Sequence, residues 1–82
     1  MSKWGIYNNA ADFFNNLQIN DKIIYNKGDC ICEGEIVGVN KPLKNSRVLK
    51  LTKKTMNNQD IPLKQNEKIL ILPNQAINCE VI

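Results

Sequence analysis

Cys30 and Cys32 stand two residues apart in "KGDCICEGEIV", and Glu33 and Glu35 follow with the same spacing. On an extended strand, residues two apart project to one face, so each pair can act as a unit. Two thiols so placed suggest metal or redox chemistry, and two carboxylates suggest an acid with its base. A structural zinc site takes four ligands, usually from two separated pairs. Here only Cys79 is left to add, and the chain has no histidine. Redox dithiols favour C-x-x-C at a helix start, where the helix dipole stabilises the thiolate. The three cysteines are therefore read as small hydrophobes buried in strands. No metal and no cofactor are expected. The glutamates lack a nucleophile motif or a glycine-rich phosphate loop beside them. They read as solvated side chains on the outer face of a strand, so the expected class is non-enzymatic.

The stretch from Lys41 to Lys54 carries six cations (Lys41, Lys44, Arg47, Lys50, Lys53, Lys54) and no acid. Cations on a loop and its adjoining strand can follow phosphates, and asparagine amides there can hydrogen-bond base edges. The same pattern also suits a solvated strand face whose lysines discourage edge-to-edge pairing. Trp4, Tyr7 and Tyr25 offer rings that either stack on bases or pack over the core. Both alternatives stay open on sequence alone.

With 82 residues the chain is one small domain, residues 1–82, with little room for an internal active site. Hydrophobic residues make up 43% and charged residues 23%, and the net charge is +3, a mildly basic balance. No apolar run approaches the roughly 20 residues that span a bilayer, so no membrane partner is expected. "MSKWGIYNNAADFF" lacks the apolar stretch of a signal peptide, which makes the cytoplasm the expected compartment. An odd number of cysteines without such a signal fits reduced thiols.

These side chains must be carried by elements. "NNAADFFNNLQ" predicts a helix over 10–17: Asn8 or Asn9 can cap it, and Ala10, Phe13, Phe14 and Leu17 form one apolar stripe. Trp4 and Tyr7 precede it and can fold back over the core. Strands are predicted at about 22–26, 30–39, 47–53, 68–72 and 76–82. Gly28 suits the first turn, and Gly34 and Gly38 mark a bulge or bend in the long second strand. "TMNNQDIPLKQNE" reads as a long loop with a short strand near Ile61–Leu63. "KILIL" is apolar throughout, as in a strand covered on both sides. A short helix followed by five short strands predicts a mainly β fold, a strongly bent antiparallel five-stranded barrel.

Several stretches then resemble the Sm-like family of small barrels. "DFFNN" is similar to that family's helix motif D-x-F-x-N. "IIYNKG" followed by Gly34 and "EIVGV" resembles its first hairpin, and "RVLKL" its apolar third strand. "ILILPNQAINCEVI" is similar to its final strand, turn and strand, although Asn74-Gln75 stand where bacterial members carry Lys-His. The loop from Thr52 to Glu67 is also longer. A KOW-type barrel, of the SH3-like kind, is similar to "INDKIIYNKG" and "GEIVGV" as well. The Sm-like resemblance implies a ring-shaped homo-oligomer that binds single-stranded RNA, with "KILIL" pairing to a neighbour's second strand. It also implies two loops facing each other around the pore, here Asn40, Lys41, Lys44 and Asn45 in one and Asn74 and Gln75 in the other. Those six are the candidate ligand-binding residues, for a nucleic acid or a nucleotide-like anion. The rival reading is a protein-interaction or inhibitory accessory module, of mobile-element origin, that binds no nucleic acid.

Overall fold

Asn9 opens the only α-helix of the described residues. A computed structural model of the protein describes residues 3–40 and 45–82. The Asn9 Oδ1 accepts from the Asp12 amide at 2.8 Å, satisfying one orphan donor of the first turn of α1 (Ala10–Asn15). The helix stops two residues short of the sequence expectation. Asn16 turns its Nδ2 back onto the Asp12 carbonyl at 2.8 Å, beside its own amide. Leu17 is buried all the same, with Phe13 and Phe14.

Six strands follow: β1 (Lys22–Lys27), β2 (Cys30–Asn40), β3 (Ser46–Met56), β4 (Gln59–Asp60), β5 (Lys68–Ile71) and β6 (Cys79–Val81). They form one antiparallel sheet in which β3, β2, β1 and β6 lie side by side. Both β4 and β5 pair with the far edge of β3, at opposite ends of it. Among the described residues β5 and β6 do not pair, so the sheet is not closed. The chain is thus mainly β with a short helix, as expected. Two register shifts, at Glu33/Gly34 and Ile36/Gly38, interrupt the β2–β3 ladder where the glycines predict bends.

Two expectations need correction. The last strand was expected over 76–82, but Pro73–Asn78 form a 3₁₀ helix and β6 holds only three residues. Pro73 fixes φ at the first helical position, and the Gln75 Oε1 accepts from the Leu72 amide at 2.9 Å. The loop after β3 is shorter than expected, because β3 runs on to Met56. Asn57 and Asn58 then take φ of 51° and 65°, the conformation of a two-residue hairpin turn into β4. "KILIL" meets the core on one side, and its other side is open to the neighbouring chain expected there. Ile71 is fully buried, whereas Leu70 remains 56% exposed.

Asparagine recurs at such turns: Asn20, Asn45, Asn57, Asn58 and Asn66 all have φ between 48° and 82°. Only Gly5 and Gly28 share that region among the described glycines.

The core joins Phe13, Phe14 and Leu17 to Ile23, Tyr25, Cys30, Cys32, Ile36, Leu49, Leu51, Ile71, Ala76 and Cys79. Trp4 and Tyr7 pack against it, as the sequence suggests. Trp4 Nε1 donates to the Cys79 carbonyl at 2.9 Å, and the Val81 amide donates to the Lys3 carbonyl at 2.8 Å. The N-terminal segment is thereby fastened along β6.

Candidate functional site

The strand ends that flank the two predicted loops lie at one end of the sheet. Asn40 pairs with Ser46 at the end of β2–β3, and Arg47 pairs with Ile71 at the end of β5. The β2–β3 connection and the 3₁₀ helix therefore leave the sheet side by side. The C-terminal end of α1 lies there too, since Asn45 Nδ2 donates to Asn15 Oδ1 at 2.6 Å.

Of the six candidates, Lys41 and Lys44 lie outside the described residues. Asn40 and Asn74 are exposed and free to meet a ligand. Asn45 is committed internally: its side chain bridges Asn15 and the Arg47 guanidinium, whose Nη1 donates to Oδ1 at 2.9 Å. Gln75 is likewise held by the Leu72 amide. Both amides build the loops, leaving Asn40 and Asn74 to present polar groups outward.

Arg47 changes the reading of the basic stretch most. It is fully buried, not a cation on the surface. Its Nε donates to the Leu17 carbonyl at 3.2 Å, Nη2 to the Phe14 carbonyl at 2.9 Å, and Nη1 to the Asn45 and Ser46 carbonyls. These acceptors include carbonyls freed where α1 ends, and a cation there also suits the helix dipole. Burial pushes the guanidinium pKa down, though an arginine stays charged. The signal was present in the alternation: Arg47, Leu49 and Leu51 fall on one face, and that face is the buried one.

The remaining cations are offset by their neighbours. Register sets Glu35 between Lys22 and Lys50, with Lys68 beyond Lys50, and sets Lys53 opposite Glu33. Lys54 is ion-paired with Glu67 at 3.3 Å. That contact raises the Lys54 pKa, while the Lys64 amide and then Lys54 hold Glu67 below its usual range. The β3 lysines thus stand opposite carboxylates.

On the buried face, Cys32, Tyr25 and Cys79 form a row across β2, β1 and β6. Burial pushes the Cys79 thiol up to about 12 and the Cys32 thiol to about 11, and raises Tyr25 as well. A raised thiol pKa favours the neutral folded form. Its stabilisation is complete below the ordinary value of 9.0 and is lost as pH climbs toward the folded value. The unfolding free energy from urea titration is expected to hold up to about pH 9 and then fall, by at most about 1.4 kcal/mol per pH unit for each such thiol, and the midpoint with it. In Cys79→Ala the fall should be shallower. A midpoint independent of pH between 9 and 11 would contradict the burial of these thiols.

Among the described residues no helix is long and apolar enough to cross a membrane. No protein-family model matches the chain, and no curated protein and no solved structure matches it either.

Proposed function

We propose that this protein is a non-enzymatic small barrel, of the Sm-like or SH3-like kind, that binds single-stranded nucleic acid or a nucleotide-like anion. The observation that carries the reading is that Asn40, at the end of β2, and Asn74, in the turn after β5, are both exposed at one end of the sheet. The strand order, with the last strand beside the first and the fifth beside the third, supports a barrel closed on assembly. Assembly runs through the outer edge of β5, which carries the exposed Leu70. The β1 side of β2 is taken up as far as Ile36, so a neighbour finds β2 only beyond that point.

Fluorescence anisotropy with short RNA and DNA strands tests the reading, alongside molar mass in solution before and after nuclease. Lys41→Ala with Lys44→Ala is expected to weaken binding to every strand and to lower the salt slope by about one for each cation. Asn74→Ala is expected to re-rank the sequences instead, since a neutral amide reads base edges. Gln75 is unsuitable for that test, because its side chain holds the 3₁₀ helix. Absence of any strand binding at moderate salt, with a monomeric mass, would overturn the proposal.

That outcome would favour the second reading, a protein-interaction module. A separate observation supports it: Ile6, Ile77 and Ile82 are 88%, 58% and 65% exposed. The contacts of Lys3 with Ile77 and Val81 place them at the same end of the molecule.

A further inference from the structure

One cleft of about 270 Å³ brings together three sulfur side chains, Cys30, Cys32 and Met56. The Cys30 and Cys32 sulfurs lie 3.9 Å apart on the same face of β2. Antiparallel pairing sets Met56 of β3 opposite Cys30, and Lys54 opposite Cys32. Lys27 of β1 faces Cys30 from the other side. All five line the cleft, together with Glu67.

We propose that this cleft binds a monovalent soft cation, Cu(I), through the Cys30 and Cys32 thiolates with the Met56 thioether as third donor. Thiolate and thioether ligands select Cu(I) over harder ions. The ligand count points the same way. Zinc wants four donors, and the described residues hold no group of three or more His, Cys, Asp or Glu able to bind a metal. Glu67 is already engaged by Lys54 and by the Lys64 amide. A disulfide fits the pair less well. Closing 3.9 Å to the roughly 2 Å of an S–S bond would contract the pleat of a strand paired on both edges. A metal bridging the sulfurs leaves the strand as it is.

Binding exchanges two thiol protons for one Cu⁺, with no change of oxidation state. Two S–H bonds break, two Cu–S bonds form, and both protons go to solvent. The resulting centre carries one negative charge, and the ammonium groups of Lys27 and Lys54 stand beside it to balance that charge.

Anaerobic titration of the full chain with Cu(I) against a bicinchoninate competitor tests the site, followed by X-ray absorption at the copper edge. One Cu(I) per chain is expected to transfer to the protein, with a first shell of sulfur alone. Zn(II) offered in its place should pass to a chelator. Cys32→Ser should leave the copper with the competitor. Met56→Leu, at a half-exposed position, should fold normally and bind about tenfold more weakly, with one sulfur fewer in the shell. Copper left with the competitor by the wild-type chain would overturn the site, whatever the variants do. So would a shell of nitrogen or oxygen, or equal retention by Cys32→Ser. Unchanged affinity in Met56→Leu would remove the thioether from it.

Discussion

Arg47→Ala is expected to lower the unfolding free energy by about 3–5 kcal/mol, because several buried carbonyls lose a charged donor at once. The guanidinium donates to the carbonyls of Phe14, Leu17, Asn45 and Ser46 and to the Asn45 side chain. Each acceptor left unsatisfied in the interior costs about 1–3 kcal/mol, and some of these will find water through the cavity that alanine opens. Packing is lost too, since the guanidinium lies 4.8 Å from the Phe14 ring centre. Lysine should recover little, because a single ammonium cannot span acceptors on the helix end and on the loop together. Urea unfolding of Arg47→Ala, Arg47→Lys and Arg47→Met checks this. A loss under about 1 kcal/mol in the alanine variant would show that Arg47 does not tie α1 to the sheet, and surface substitutions give that scale.

A comparable loss is expected at Gly34, for a different reason. A Cβ built there would lie 2.3 Å from the Lys50 carbonyl oxygen and 3.0 Å from Leu49 Cγ. The obstacle is backbone of the neighbouring strand, which cannot rotate aside. Gly34 is not in the left-handed region, so the constraint is close approach of β2 and β3 at the bulge rather than an unusual φ. Gly34→Ala should cost about 1–3 kcal/mol as overpacking, and Gly34→Val more. Against a total of about 4–12 kcal/mol for a chain of this length, the valine variant should be largely unfolded at modest urea. Equal midpoints for wild type and Gly34→Ala would mean that the strands separate there at no cost.

Much of the fold is legible in local pattern. Alternation and glycine placement mark β1, β2 and β3, and the Phe13, Phe14 and Leu17 stripe marks the helix face. What escaped the sequence reading depends on partners that only the folded chain brings to a side chain. Gln75 reads as a base-reading amide until the Leu72 amide donates to its Oε1. Asn45 reads likewise until Asn15 and Arg47 arrive. Arg47 itself was hidden by its charge, although its position in the alternation matched Leu49 and Leu51. The sulfur cleft depends on how far β3 extends, since Met56 meets Cys30 only if the strand runs past Lys53. Register across a bulge is not written in either strand alone.

The asparagines at left-handed turns bear on how this chain can evolve. Glycine is the residue that such backbone accepts most freely, yet glycine codons begin with two guanines, whereas asparagine codons begin with two adenines. With Asn20, Asn45, Asn57, Asn58 and Asn66 at those turns, the folding punctuation would survive a drift of the gene toward A and T. Gly34 has no such substitute, because there the missing side chain itself is what the neighbouring strand requires. Mutational bias can therefore rewrite most corners of the chain, but it must leave the guanines of that one codon in place.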